Sequence, residues 1–227
     1  MVNAGKIFKL TEKLGLDAIA MRLKDYRREE VFQQGKYSLN LLTEIKGLSL
    51  KVGALSGVIA YDKVIYINRR GEVVPEATMK EAPFVLSEHG DKVLLLVIGK
   101  KYEANRVANL LSETLFIKAG KIVEGRIPED VLKRFHLENP EATKLIWFDD
   151  MDIPNIEKLS LCGPSLADTS LYSEYSGHGQ IWYIVFKSKR YGYITGVTRN
   201  GIVALFNRVD EDDFVGYVMD EIFPLVV

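Results

Sequence analysis

The sequence predicts an α/β protein: a mixed sheet of about five or six strands flanked by helices, with a three-stranded antiparallel meander plus helix at the C-terminal end. Three observations predict it. The apolar run Val93–Ile98 passes through Gly99 into a helical pattern from Glu103 to Leu115, and a strand without alternation is one covered on both faces, as in α/β sheets. A second apolar run, Lys144–Phe148, ends in Asp149-Asp150-Met151-Asp152. Finally, Ile181–Lys187, Tyr191–Val197 and Ile202–Phe206 read as strands, the last two joined by Thr198-Arg199-Asn200-Gly201, and Asn-Gly is the strongest short hairpin signal.

Taken in order, residues 6–34 read as helical, because Ile7, Leu10, Leu14, Ala18 and Met21 fall at helical spacing, with Gly15 dividing the stretch. Ser49–Val52 and Val58–Asn68 are strand-like. Arg69-Arg70-Gly71 is a turn into Glu72-Val73-Val74, which Pro75 ends. Pro128 opens a short helix, Glu129–Phe135. Residues 159–180 are rich in Gly, Ser and Pro and read as a long loop. Asp210 is the expected N-cap of a closing helix with acidic residues in its first turn and Phe214, Val215, Val218 and Ile222 on its apolar face. The whole reads as one α/β domain over 1–227, with a subdivision near 114–125.

Composition narrows the classes. The chain has 227 residues, 47% of them apolar and 27% charged, with a net charge of −1. That excludes a disordered chain and a strongly basic nucleic-acid coat, and leaves local charged sites open. Residues 1–113 carry eighteen Lys/Arg against fourteen Asp/Glu, and residues 114–227 carry twelve against seventeen. No apolar stretch approaches the roughly 20 residues of a membrane-spanning helix, and none near Met1 suits a signal-peptide core. Cys162 is the only cysteine, which excludes an intrachain disulfide and a cysteine-built zinc site. The expected compartment is the cytoplasm, with no membrane partner and a homo-oligomer left open.

Two clusters carry the functional reading. Asp149, Asp150 and Asp152 follow a buried strand, where ligand sites of open α/β sheets lie. Carboxylates there suit Mg²⁺ or Mn²⁺, which take oxygen ligands, and two such metals can activate water against a phosphodiester. Further carboxylates from separate elements are needed, and Asp62, Asp213 or Asp212 are the candidates. The plainer reading makes Asp149 and Asp150 turn formers and Asp210, Asp212 and Asp213 helix-dipole partners. The second cluster is Tyr183, Phe186, Lys187, Lys189, Arg190, Tyr191, Tyr193 and Arg199, in which rings offer stacking faces and cations track phosphates; Arg69 and Arg70 extend it. Its plainer reading is a charged hairpin tip on aromatic-rich strands.

Other signals are missing. There is no Walker A loop, no Gly-x-Gly-x-x-Gly after a strand and no His-Glu-x-x-His. Ser165 lacks a nucleophile elbow. His89, His136 and His178 read as loop or helix-end histidines, and Cys162 has no neighbouring base.

The size of the chain, the pattern Trp147-Phe148-Asp149-Asp150, the meander Ile181–Phe206 and the acidic closing helix together resemble archaeal, hyperthermophile single-strand-specific 3′–5′ exonucleases with a ribonuclease H-like core. The resemblance implies a divalent metal, hydrolysis of single-stranded DNA or RNA, and Asp149 and Asp150 as ligands. It also calls for an aspartate on the first strand. Asp62 is the nearest match, flanked by Tyr61 and Lys63 where small residues are usual.

The expected function is therefore metal-dependent hydrolysis of single-stranded nucleic acid. Asp149 and Asp150, with Asp62 or Asp213, bind the metal; Lys187, Lys189, Arg190 and Arg199 neutralise backbone; Tyr183 or Tyr191 stacks bases. The alternative is a non-enzymatic regulatory or scaffolding domain that binds a partner protein or small ligand. A third option is nucleic-acid binding without catalysis.

Overall fold

The computed structural model describes residues 3–51, 53–138, 143–164, 166 and 169–227. In chain order the elements begin β1 (Asn3–Leu10), α1 (Leu16–Leu23), β2 (Arg27–Gln34), β3 (Tyr37–Lys51), β4 (Ala54–Arg69), β5 (Glu72–His89), β6 (Lys92–Ile98) and α2 (Lys101–Phe116). They continue with β7 (Ile122–Glu124), α3 (Glu129–Glu138), β8 (Thr143–Asp149), β9 (Leu159–Cys162), α4 (Ser170–Tyr175), β10 (Gln180–Lys187), β11 (Ile194–Thr198), β12 (Ile202–Leu205) and α5 (Glu211–Tyr217). The chain divides into two compact units. One comprises Leu10–Ile98 and Tyr102–Ile122; the other comprises Met1–Lys9, Gly99–Lys101 and Val123–Val227.

The first unit is a sheet of order β2-β3-β4-β5-β6, antiparallel throughout. Its spine is the β4–β5 hairpin, paired without a break from Ala54↔Ser87 to Arg69↔Glu72. Arg70 and Gly71 both take positive φ at its tip, the geometry a two-residue hairpin turn requires. Leu16, Ile19 and Leu23 of α1 are buried, as are Ala104, Val107, Ala108, Leu111 and Leu115 of α2. The buried Ser112 hydroxyl donates to the Lys118 carbonyl at 2.8 Å and accepts from the Lys121 amide at 2.9 Å. It thereby satisfies backbone groups just beyond the last turn of α2.

The second unit is a sheet of order β1-β12-β11-β10-β8-β9, with β7 beside β1; the pairs from β1–β12 to β8–β9 are antiparallel. Phe148, Ile181, Ile184, Phe186, Val197, Leu205, Phe214 and Ile222 are among its fully buried apolar side chains. Phe135 of α3 meets Phe186 edge-on at 4.4 Å. Asp210 caps α5, its side chain accepting from the Asp213 amide at 2.8 Å. A π-helical turn, Val218–Ile222, and a 3-10 turn, Phe223–Leu225, follow.

This architecture overturns the α/β expectation. Strands make up 48% of the chain and helices 25%, and the sheets are antiparallel, so the chain is not a ribonuclease H-like core flanked by helices. Val93–Ile98 is a buried strand, but it pairs antiparallel with β5; burial on both faces does not require parallel neighbours. Residues 6–34 are not one helical stretch. Their apolar spacing straddles β1, α1 and β2, and a 3.6-residue period sampled across elements of different period is spurious. Arg27-Arg28-Glu29-Glu30 is an exposed strand whose Arg27–Glu29 and Arg28–Glu30 pairs join residues two apart, on one face. Pro75 does not end its strand; it sits opposite Tyr66 within β5. Residues 159–180 hold β9 and α4 rather than an unbroken loop. Ser165 lies outside the described residues.

Gly201 has no room for a side chain. Its φ is +73°, and a Cβ there would meet the Gly125 carbonyl oxygen at 2.6 Å, while its own carbonyl accepts from the Ile7 amide at 2.8 Å. Gly201→Ala should cost at least the ~1–3 kcal/mol of a strained backbone position, read as a lower urea midpoint.

Tyr217 gives a pH signature. Burial pushes its hydroxyl above the ordinary tyrosine value of 10.0, and the Thr195 hydroxyl donates to it at 2.7 Å. Above pH 10 the unfolded chain releases this proton and the folded chain keeps it, so stability falls as pH rises. Tyr217→Phe should flatten that alkaline decline in urea melts; an unchanged slope would contradict the assignment.

Candidate functional site

The second unit holds a cleft of about 380 Å³ lined by Glu124, Arg126, Asp149, Trp182, Arg199 and Asn200. Its organiser is Arg199, the first residue of the β11–β12 turn. The Arg199 amide donates to the Trp182 carbonyl at 2.9 Å, and its carbonyl accepts from the Ile127 amide at 2.8 Å. The guanidinium donates to both Asp149 oxygens at 2.8 Å and also to Gln180 Oε1. Both partners stand at strand ends, Asp149 closing β8 opposite Gln180 opening β10. With side chains only 16% and 18% exposed, this fork is a positioned group rather than a loose surface pair. Thr198 Oγ1 donates to Asn200 Oδ1 at 2.7 Å and accepts from the Ile202 amide at 3.0 Å, fixing the turn.

Trp182 is the extra residue of a β-bulge in the β8–β10 pairing, between Ile181↔Phe148 and Tyr183↔Trp147. Bulges re-aim side chains. Here the Trp182 ring lies 5.9 Å from Trp147 and 6.1 Å from Tyr183. These are the chain's two tryptophans, and Trp147 is 37% exposed. The Lys158 ammonium sits 5.5 Å from the Trp182 ring centre, a cation–π arrangement. Glu124 accepts from the wholly buried Lys6, while the exposed Arg126 guanidinium has no ion pair among the described residues.

The acidic residues are placed as follows. Asp149 is committed to Arg199. Asp150 has φ +51°, a left-handed conformation that Asp tolerates in turns, and is 3.9 Å from Arg199 with a 70% exposed side chain. Asp152 shares a 2.7 Å hydrogen bond with His178 Nδ1. Asp213 is in the first turn of α5. Asp62 lies in the other unit, where its carboxylate accepts from the Leu42 amide at 2.9 Å. Among the described residues no group of three or more His, Cys, Asp or Glu side chains is placed to hold a metal ion. The donor set thus does not fit a Mg²⁺ or Mn²⁺ centre: both oxygens of the best-placed carboxylate, Asp149, already accept from Arg199 Nη2.

The basic aromatic segment divides. Arg199 lines the cleft, and the Tyr183 ring lies 6.1 Å from that of Trp182. Arg190 instead pairs with Asp220 at 3.4 Å and Glu221 at 3.8 Å. Tyr191 donates to Asp220 at 2.6 Å, which raises its hydroxyl's pKa, and its ring packs with Tyr193 and Tyr217. Lys187 and Lys189 are exposed. In the sequence Trp147 has only a place in the Trp147-Phe148-Asp149-Asp150 pattern, and Trp182, Lys158, Arg126 and Glu124 have no assigned role there. The available signal was that both tryptophans lie on strands meeting at one edge, Trp147 two residues before Asp149.

No protein-family description matches the chain, and neither does any curated protein.

Asp149→Asn removes the charge from the fork and one of its two acceptors. It should cost about 2 kcal/mol in urea denaturation, as for hydrogen bonds to charged groups. Arg199→Lys should lose a similar amount, because a single ammonium cannot reproduce the planar guanidinium that spans Asp149 through Nη2 and Gln180 through Nη1.

Proposed function

We propose that the second unit binds single-stranded nucleic acid at the tryptophan-lined cleft. The observation that carries the reading is the pairing of Trp147 and Trp182 at 5.9 Å beside Lys158, Arg199 and Arg126. Unpaired bases stack on exposed rings, and neighbouring cations meet the phosphates. A cleft of about 380 Å³ is at the small end of ligand sites and suits one base at a time. Arg199 is held at a fixed angle by Asp149 and Gln180, so it pays little further ordering entropy when a phosphate or base edge arrives. The reading invokes no metal, because Asp149 is engaged by Arg199 and Asp62 by the Leu42 amide.

Trp182 lines the cleft and Trp147 lies 5.9 Å from it, so intrinsic fluorescence reports on the site. Titration with a single-stranded oligonucleotide in EDTA should quench the emission, and added salt should reverse the quenching. Trp182→Ala should weaken binding by the ~1–3 kcal/mol of one stacked base, roughly 5- to 150-fold. Absence of quenching would remove the reading and favour a protein partner. Degradation of the oligonucleotide in Mg²⁺, stopped by EDTA, would restore the hydrolytic alternative.

A further inference from the structure

In the first unit, a second and smaller cavity of about 90 Å³ is lined by Tyr61, Lys63, Lys80, Tyr102, Glu103 and Arg106. Lys80 stands directly opposite Tyr61, and Lys63 opposite Thr78. In an antiparallel pair, opposed residues share a face and residues two apart along a strand share it too. The two ammonium groups are therefore diagonal neighbours on the face that carries Tyr61. From α2, Arg106 places its guanidinium 4.8 Å from the Tyr61 ring centre. Tyr61 is 2% exposed, so this stacking surface is a fixed part of the core. Among the described residues none of the three cations has an ion pair, although paired cations are common elsewhere in the unit, as at Arg28, Lys46 and Arg69. Glu103 offsets one charge of three, leaving the cavity at about +2.

We propose that this cavity binds the phosphoryl group of a phosphate ester or inorganic phosphate. The three cations that line the cavity, all exposed, repel one another, and a tetrahedral oxyanion relieves that repulsion while accepting charge-assisted hydrogen bonds from them. The Arg106 plane, fixed against Tyr61, supplies the forked donor that suits phosphate, and the lysines supply point charges. A cavity of about 90 Å³ has room for one phosphoryl group. The site stands in a different unit from the tryptophan cleft and does not rest on that cleft's function.

Calorimetry and thermal melts of the full chain test it, with inorganic phosphate and a 5′-phosphorylated oligonucleotide as probes and chloride at matched ionic strength as control. Phosphate should bind and raise the melting midpoint, and Lys63→Gln/Lys80→Gln should weaken it by about tenfold or more. Without phosphate, the double variant should melt no lower than the parent, because it relieves repulsion; a lysine pair needed only for packing would give the opposite shift. Trp182→Ala should leave phosphate binding unchanged, so the two sites fail separately. Stronger binding of inorganic phosphate identifies a small free anion, and tighter binding of the 5′-phosphorylated oligonucleotide than of its unphosphorylated counterpart, read in Trp182→Ala, identifies a terminal phosphate; either supports the site. No response to either probe beyond the chloride control, or equal binding by the double variant, overturns it.

Discussion

The second unit's site depends on how completely Arg199 is held. Its backbone is tied to Trp182 on one side and Ile127 on the other, and its side chain is tied to Asp149 and Gln180. An arginine on a hairpin turn ordinarily samples many rotamers. This one has been brought to a single geometry, and that geometry sets the distance from guanidinium to indole. The turn itself is anchored at Gly201, where a neighbouring carbonyl occupies the space of a side chain. One interaction therefore couples β8, β10 and the β11–β12 turn, and the cleft exists because those three meet there.

The same pair occupies the carboxylate that a metal centre at the acidic cluster would use first. Two carboxylate oxygens that both accept from one guanidinium have their charge compensated, and a divalent cation would have to displace an arginine that is also fastened by its backbone. The remaining aspartates have local duties: Asp150 accommodates a left-handed turn, Asp210 caps a helix, Asp152 meets His178, and Asp62 satisfies a backbone amide. Such duties are what short acidic side chains perform wherever the backbone leaves donors exposed.

Local chemistry was readable in the residues, and long-range pairing was not. Asn200-Gly201 and Arg70-Gly71 mark turns because few residues tolerate positive φ, and Asp210 marks a helix start because its side chain caps amides in its own neighbourhood. Those signals act within four residues. Strand direction is decided between segments far apart, and the apolar run Val93–Ile98 looks alike in parallel and antiparallel surroundings. Strand β2 was hidden for another reason: exposed on both faces, it shows neither alternation nor an apolar run. At the site, Asp149 and Arg199 were each visible as a charged residue in a turn. Their union, fifty positions apart, came from the register of β8 on β10 on β11. The bulge that turns Trp182 toward Trp147 is likewise a property of pairing.

The most direct test is ultraviolet crosslinking of the full chain to a single-stranded oligonucleotide carrying photoreactive pyrimidines, followed by mass mapping of the modified peptides. The account requires adducts on Trp147 or Trp182, with Arg199→Ala reducing their yield. Adducts confined to other segments, or equal yields from both chains, would show that the tryptophan cleft is not where a nucleic acid sits.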